Sequence, residues 1–173
     1  LEFRRVLFRS GRDLPRKLMI RPRAGTVPIT LSESSGVRYL HFGSAWVQGA
    51  MLIARPDALV LEYVRRMMGW LLFLGPAQRV LQLGLGAGAL TRYCLSRCKG
   101  SQVTVVEIAS EVIETAHDWF HLPRREPRLK VVHASALEFL AKPQEGRRYS
   151  VLQVDLYDMH ARSEEHTSEL QSP

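Results

Sequence analysis

The sequence has few of the residues that build disulfide frameworks and metal centres. Its 173 residues include only two cysteines, Cys94 and Cys98. Two thiols are too few for a disulfide framework, and we expect them to stay reduced, as in a cytoplasmic protein. A structural metal site needs about four ligands, and no others stand at metal spacing beside these two. The sequence therefore predicts neither a disulfide nor a bound metal.

Long apolar runs and nucleic-acid-binding modules are also lacking. The longest uncharged apolar stretch, 67–77, is too short, because a helix needs about 20 such residues to cross a bilayer. The charge balance is basic, with 24 Lys and Arg against 17 Asp and Glu. The basic clusters at 16–23 and 124–130 contain no interleaved aromatic residues. We therefore expect no membrane and no nucleic-acid partner, and we interpret the positive charge as a solvated surface.

The most informative segment that is present is a strand followed by a glycine-rich loop. Residues 79–92 read RVLQLGLGAGALTR, with glycines at Gly84, Gly86 and Gly88, and a second predicted strand ends on Glu107. Glycines let the backbone approach a ligand, and a helix N-terminus offers free N–H groups. The carboxylate can accept hydrogen bonds from ribose hydroxyls. The pattern predicts a site for a nucleoside-bearing cofactor.

The glycine spacing separates two classes of cofactor. A dinucleotide fingerprint has the spacing G-x-G-x-x-G, in which Ala is tolerated at the third position, and Ala89 stands there. The observed G-x-G-x-G is more similar to the S-adenosylmethionine fold, whose cofactor carries no pyrophosphate. The alternative without a ligand is a tight strand-to-helix turn beside an exposed Glu107.

The two ends of the chain are related to each other through DNA. A DNA sequence that encodes Leu1–Ser10 encodes Arg162–Gln171 when its opposite strand is translated. Chance does not produce such a match, and the DNA resembles a common sequencing adapter. We therefore predict that residues 1–10 and 162–173 are adapter artefacts and exclude them from fold prediction.

Between these ends, the order of predicted elements indicates an α/β protein. Short β-rich runs predict a small N-terminal β-meander within residues 11–56. Strands and helices then alternate over 57–161, which predicts a doubly wound, mostly parallel Rossmann-like sheet. The resemblance of the glycine loop to the S-adenosylmethionine fold implies that this sheet is class I methyltransferase-like. Asp57 is expected to cap a helix that reaches residue 74. The predicted strands are 27–31, 37–42, 47–53, 79–83, 102–108, 129–133 and 149–155, and the later helices are 88–97, 110–121 and 136–141.

The last predicted strand ends at a place where ligands bind in such sheets. Asp155 and Asp158 should lie at the same carboxyl edge as the glycine loop. A sheet of this type normally continues with further strands. We therefore expect that C-terminal strands are missing here and that this stretch alone is inactive.

Several segments occur in an order typical of one family. Together with the β-meander and the glycine loop they resemble the spermidine synthase family, and more narrowly its short bacterial spermidine synthase-like proteins. The resemblance covers nearly all of residues 11–161. It implies an N-terminal β-domain, a methyltransferase-like core, and transfer of aminopropyl from decarboxylated S-adenosylmethionine to putrescine. The segments that carry it are Trp46–Met51, Leu61–Tyr63, Val106–Glu107 and Val154–Asp158.

The resemblance implies which residues hold the cofactor, either decarboxylated S-adenosylmethionine or S-adenosylmethionine itself. Glu107 corresponds to the acid that holds the ribose, and Gln48 to a glutamine near the cofactor and amine pocket. Ser135 stands where the family has an acid that contacts the adenine amino group. Ala87 stands where the family's loop usually has Asp. Without the resemblance, the alternative for Gln48 is that its side chain hydrogen-bonds to unpaired backbone groups at the edge of a strand.

The resemblance also implies a catalytic and a substrate-binding set. Asp155 corresponds to the first Asp of the family's D-x-x-D stretch, where it helps to deprotonate the attacking amine; Asp158 corresponds to the second, and Tyr157 lies between them. Glu62 and Tyr63 fall where the family has Tyr and Glu lining the amine site. The alternatives are that Asp158 caps a helix, that Glu62 is a surface acid, and that Tyr63 is a core aromatic.

Three functions follow from these observations. Alkyl transfer from a sulfonium requires an enzyme mainly to position an amine and remove its proton. The leading prediction is aminopropyl transfer to a putrescine-like polyamine, with a homodimer left open for the parent protein. Methyl transfer from S-adenosylmethionine to a small molecule stays open because acids are lost at Ala87 and Ser135. The third alternative is a non-catalytic domain that retains the fold.

Overall fold

Two four-stranded sheets form the framework of the described chain. The computed structural model describes residues 16–19, 28–142 and 148–156. A 3-10 turn at Gly69–Leu72 follows the first helix. The strands are β1 (Arg16–Met19), β2 (Ile29–Ser34), β3 (Val37–Phe42), β4 (Gly49–Leu52), β5 (Arg79–Leu83), β6 (Gln102–Glu107), β7 (Leu129–His133) and β8 (Val151–Val154), and the helices are α1 (Glu62–Arg66), α2 (Ala89–Arg97), α3 (Ser110–Trp119) and α4 (Ala136–Ala141).

The N-terminal sheet is antiparallel, in the order β1-β2-β3-β4. Ser35 and Gly36 connect β2 to β3 with φ of 51° and 74°, the left-handed pair that a two-residue hairpin requires. Ile29, Leu31 and Leu40 point to one face and are buried, as the period-two pattern of a half-buried sheet demands. The predicted meander is therefore confirmed. It has one strand more than predicted, since the basic stretch around residues 16–19 forms β1.

The second sheet is parallel, in the order β7-β6-β5-β8. Its central strand β5 is buried on both faces, which explains its nearly continuous apolar sequence. Helices connect successive strands as a doubly wound sheet requires, and the predicted Rossmann-like fold is confirmed. At the outer position, β8 alternates between buried Val151 and Gln153 and the exposed Leu152 and Val154. The carboxyl ends of β5, β6 and β8 lie at one edge, which collects the loops that follow them.

The predicted long helix from Asp57 to residue 74 is wrong. The segment forms only α1, of five residues, and a 3-10 turn. The side chain of Asp57 accepts hydrogen bonds from Ser96 and Arg97 at 2.9 Å and so does not cap a helix. Most of the apolar residues from Leu59 to Leu71 still pack against the core, whereas Leu72 and Phe73 are 82% and 85% exposed. The segment therefore buries its apolar side chains through α1 and the 3-10 turn, without one continuous helix.

The two sheets share one hydrophobic core. Ile29 and Leu40 of the first sheet belong to the same buried cluster as Val80 and Val103 of the second. Arg38 joins the first sheet to α3 by donating to the carbonyl of Trp119 and lying 5.5 Å from its ring centroid. The first sheet is thus held against the second, while the predicted boundary between 11–56 and 57–161 stays a prediction. Among the described residues, no helix has the length and apolar character needed to cross a membrane.

Candidate active site

The glycine loop turns sharply between β5 and α2. Gly84, Gly86 and Gly88 have φ of 93°, 50° and 67°, in the region that side chains disfavour. A Cβ atom on Gly84 would lie 2.1 Å from the carbonyl oxygen of Asp155, a contact that no side chain can make. The Gly84 N–H donates to the carbonyl of Val106 at 2.8 Å. The start of the loop is therefore held between the ends of β6 and β8.

Glu107 lies beside this loop at the end of β6. Its carboxylate accepts a hydrogen bond from the Leu85 N–H at 2.9 Å and another from the Ala109 N–H at 3.0 Å. These bonds fix the orientation of the half-buried acid. A carboxylate has about four lone-pair sites, so two stay available for other donors. Two free acceptor positions are what the predicted hydrogen bonds from ribose hydroxyls would need, and that role of Glu107 stays a prediction.

A cleft of about 310 Å³ opens at this edge of the sheet. Two large apolar side chains, Ile108 and Leu137, line it although they are 68% and 79% exposed. Exposed apolar side chains in a concave site suit a flat apolar ring. Neither residue was predicted from the sequence; the available signal was an apolar residue directly after the strand-ending acid and another two residues after Ser135. The predicted site residues that line the cleft are Gln48, Gly84, Gly86, Glu107, Ser135 and Asp155.

A small enclosed space adjoins the cleft, and we call it the slot. It is lined by Gln48, Tyr63, Gln82, Thr91 and Asp155 among others, and its volume of about 20 Å³ is close to that of one water molecule. The Tyr63 hydroxyl donates to the Asp155 carboxylate across it at 3.4 Å. Asp155 lines both the slot and the cleft. It is therefore the acid that faces both spaces.

The surroundings of Asp155 favour its protonated form. Although its side chain is exposed on the cleft side, the protein atoms behind it raise the pKa of the carboxyl by desolvation, and the Tyr63 hydrogen bond opposes this. The pKa of the Tyr63 phenol is also raised, first by burial and then by the negative charge of Asp155. A carboxylate with a raised pKa is a stronger base, while Tyr63 stays a hydroxyl donor.

Some predicted site residues lie elsewhere. Glu62 points to solvent, with 75% of its side chain exposed, and pairs with Arg66, so the structure does not bring it to the cleft. Gly88 begins α2 and packs against Leu122 and Arg92 rather than lining the cleft. Tyr157 and Asp158 lie outside the described residues, as do both predicted adapter segments. Of the two aspartates in the predicted D-x-x-D stretch, the structure therefore describes only Asp155.

Ala87 in the glycine loop packs tightly against the N-terminal sheet. A Cβ atom on Gly49 of β4 would lie 2.5 Å from the Ala87 Cβ. Ala87 itself is only 3% exposed. The small residues at both positions let the loop and the sheet approach each other. A longer acidic side chain at residue 87 would have to displace β4.

Arg92 supports the loop from beneath. It is 5% exposed and donates to the carbonyls of Ala87 and Pro56, the second at 2.8 Å. Its remaining terminal nitrogen has no partner among the described residues. Burial lowers the pKa of this guanidinium to about 10, and the charge of Asp57 opposes that shift. Nothing in the sequence marks Arg92, because an arginine in an amphipathic helix ordinarily lies on the surface.

The search for a metal centre gives no candidate in the part of the chain that the structure describes. No group of three or more His, Cys, Asp or Glu side chains lies close enough to hold an ion there. Cys94 and Cys98 are free and buried. Burial raises the pKa of the Cys94 thiol to about 12, which keeps it protonated and unreactive.

Comparisons with known proteins find relatives for this sequence and this fold. No family model matches the chain. A polyamine aminopropyltransferase of Neisseria meningitidis serogroup A is 36% identical over 123 residues, which are 70% of this chain and 47% of the relative. A crystal structure of a probable spermidine synthase from Corynebacterium glutamicum matches with a TM-score of 0.56 and 26% identity, covering 69% of this chain and 47% of that one. Human methyltransferase-like protein 13 in complex with SAH matches with a TM-score of 0.54 and 26% identity, covering 59% and 50%.

These matches bear on the predicted family. The chain spans about half the length of the curated relatives it matches. Within that half, the matched sequence and the matched fold agree with the resemblance seen in the glycine loop and the strand-ending acids. Over the residues that match, the chain belongs to a spermidine synthase-like family.

Proposed function

We propose that this chain carries the cosubstrate site and the catalytic base of an aminopropyltransferase. The reaction would transfer aminopropyl from decarboxylated S-adenosylmethionine to a putrescine-like polyamine. The observation that carries the proposal is the position of Asp155, a carboxylate with a raised pKa that faces both the cleft and the slot. The relatives named polyamine aminopropyltransferase and spermidine synthase support the same reaction.

The cleft offers the groups that an adenosyl moiety needs. Glu107 would accept hydrogen bonds from the ribose hydroxyls with the lone pairs that the loop leaves free. Ile108 and Leu137 would contact the adenine ring, and Ser135 would stand near its edge. The glycine loop would approach the chain that joins the ribose to the sulfonium. The bound cosubstrate supplies an electrophilic carbon and a thioether leaving group.

The slot would hold the attacking amine. The amine nitrogen forms a bond to the carbon next to sulfur, the carbon–sulfur bond breaks, and the nitrogen loses a proton. Asp155 would take that proton, and its raised pKa makes it suited to do so. The Tyr63 hydroxyl would hold the carboxylate in place. Tyr157 and Asp158 stay proposed partners in this step, as does Glu62 for the distal end of the polyamine.

Methyl transfer from S-adenosylmethionine is the second candidate, and one observation favours it. Ala87, which lines the slot, and Ser135, which lines the cleft, stand where the resemblance leads one to expect acids. The tight contact between Ala87 and Gly49 shows that the loop is built around the small residue. The likeness to human methyltransferase-like protein 13 in complex with SAH is consistent with this candidate.

Calorimetry with three ligands tests the proposal in a full-length protein that carries this sequence. We expect tighter binding of decarboxylated S-adenosylmethionine than of S-adenosylmethionine, and aminopropyl transfer to putrescine. Tighter binding of S-adenosylmethionine together with methyl transfer would replace the first candidate by the second. Absence of binding to either cosubstrate and to S-adenosylhomocysteine would favour a non-catalytic domain.

The remaining features of the parent protein are also proposals. We propose a cytoplasmic enzyme, to which the free and buried Cys94 and Cys98 are suited. Its partner would be a small polyamine, without nucleic acid, membrane or metal. A homodimer is proposed for the parent protein only, and sedimentation of the full-length protein would test it.

A further inference from the structure

Two glutamines lie in the core between the parallel sheet and α1. Gln82 of β5 and Gln153 of β8 are 2% and 4% exposed and stand opposite each other in register. The Gln82 side-chain amide donates to the Gln153 side-chain oxygen at 2.8 Å, and the Thr91 hydroxyl donates to Gln82 at 2.6 Å. Gln153 in turn donates to the carbonyl of Met67 at 2.9 Å. Burying a side-chain amide costs free energy unless the amide is hydrogen-bonded. The hydrogen bonds of Gln82 and Gln153 therefore favour the one side-chain arrangement in which they all form.

This row of bonds joins α1, which carries Tyr63, to β8, which leads into Asp155. Met67 ends α1, and its N–H donates to the carbonyl of Tyr63 one turn earlier at 3.0 Å. Gln153 lies in β8, and Asp155 follows the last residue of that strand. Both elements are weak: α1 has five residues and no side-chain cap, and β8 has four residues and pairs on one side only within the described chain. Neither would hold its side chain in place unaided.

We propose that Gln153, supported by Gln82, is a positioning residue that holds Tyr63 against Asp155. The amide of Gln153 reaches from β8 to the end of α1 and thereby sets the distance between them. The contact it protects is long, at 3.4 Å, so a small outward movement of α1 would break it. Gln153 does not line the cleft or the slot and touches no proposed substrate. A role of Gln153 in catalysis rests on the proposed function, whereas the effect of Gln153 on the Tyr63–Asp155 contact does not depend on it.

The titration of Asp155 gives a direct readout of this contact. The titratable side chains that line the slot and cleft with it are Tyr63 from α1 and Glu107 from the end of β6. The Tyr63 hydrogen bond lowers the pKa of Asp155 against the effect of burial. Loss of that bond therefore raises the pKa of Asp155 further. A general loss of packing would not do so selectively.

The test measures the titration of the Asp155 carboxyl by carbon-13 NMR in this chain and compares Gln153→Met with Tyr63→Phe. The carboxyl signal of Asp155 is assigned by its absence from the spectrum of Asp155→Asn. We expect both variants to move the midpoint of the Asp155 titration upward by about half a pH unit, the size suited to losing one long hydrogen bond. The double variant should move it no further than either alone. Val151→Ala is the matched control, since it removes packing on the same face of β8 without touching the row of bonds. It should lower the melting temperature and leave the Asp155 midpoint in place.

An unchanged midpoint in Gln153→Met, or additive shifts in the double variant, would overturn the positioning role. Should Gln153→Met fail to fold, Thr91→Val shortens the row at its far end and should give a smaller shift in the same direction. In the full-length protein we expect Gln153→Met to lower kcat by about tenfold with little change in the KM of the cosubstrate. If Gln153→Met shifts the Asp155 midpoint but the wild-type full-length protein shows no turnover, the proposed function is refuted and the positioning role stands.

Discussion

At the scale of single residues, the site depends on a few contacts, and only some of the residues that make them could be predicted from the sequence. Glu107 and Gly84 could be predicted because a strand-ending acid and a glycine loop have recognised spacings. Gln82, Gln153 and Arg92 could not, because a polar residue inside a strand or helix pattern is ordinarily exposed. Only the register of β5 with β8 and the packing of α2 show that they are buried.

Glu107→Ala should weaken binding of an S-adenosyl ligand by about 1.5–3 kcal/mol, because it removes a charged acceptor. It also frees the N–H groups of Leu85 and Ala109, so the melting temperature should fall as well. Calorimetry measures the affinity, with Glu114→Ala on α3 as the control, since that acid pairs with Arg124 at the surface. Equal affinity of wild type and Glu107→Ala would show that the ribose binds elsewhere.

Asp155→Asn should lower turnover more than it lowers cosubstrate affinity, because it keeps the size of the side chain and removes its basicity. In the wild type, activity should fall as the pH falls through the pKa of Asp155, since only the carboxylate accepts a proton. The raised pKa places this loss above the pH range of an ordinary aspartate. A pH–rate profile of the full-length protein measures it. Full activity of Asp155→Asn would exclude Asp155 as the base.

Gly84→Ala should destabilise the fold by about 2 kcal/mol or more, through both its positive φ and the lack of space. The nearest obstacle is the backbone of Asp155, at 2.1 Å from the added Cβ, and it cannot rotate away as a side chain would. Gly69→Ala is the matched control, since nothing lies within 4 Å of its added Cβ. Thermal unfolding compares the two. Similar melting temperatures would mean that the loop relaxes without strain.

At the scale of elements, the bounds of helices and strands were predicted correctly where the hydrophobic pattern of the sequence agrees with the packing in the structure. The bounds of β5, β7 and α4 follow from the sequence, because buried parallel strands and short amphipathic turns leave clear patterns. The segment 57–74 misled, because apolar residues at helical spacing also pack against the core when the backbone forms a short helix and a 3-10 turn. β1 was missed because charged residues at an edge strand look like a surface loop.

Arg38→Met should loosen the attachment of the N-terminal sheet to α3 and lower the free energy of unfolding by about 2 kcal/mol. The change removes a hydrogen bond to the Trp119 carbonyl, a cation–π contact and an ion pair with Glu33. Arg66→Met removes an exposed ion pair instead and should cost less than about 0.5 kcal/mol. Denaturant unfolding measures both variants. An equal effect of the two would show that Arg38 does not hold the sheets together.

At the scale of the whole molecule, the described residues form one core that both sheets share and a smaller cluster around Leu81 and Phe139, and the sequence extends beyond them on both sides. Removing residues 1–10 and 162–173 should leave the melting temperature unchanged within error. The reason is that reverse-complement translations carry no selected packing information. Differential scanning fluorimetry of the shortened and the complete chain checks this. A clear loss of melting temperature on removal would refute the adapter interpretation.

The contact between Gly84 and Asp155 has a consequence for the order of events in catalysis. The glycine loop touches the cosubstrate cleft on one side and the backbone of Asp155 on the other, with no room between them. Under the proposed function, a movement of the loop on cosubstrate binding would therefore also move Asp155, the proposed base. We expect the acceptor to bind productively only after the cosubstrate, so that initial-rate kinetics of the full-length protein show compulsory-order addition.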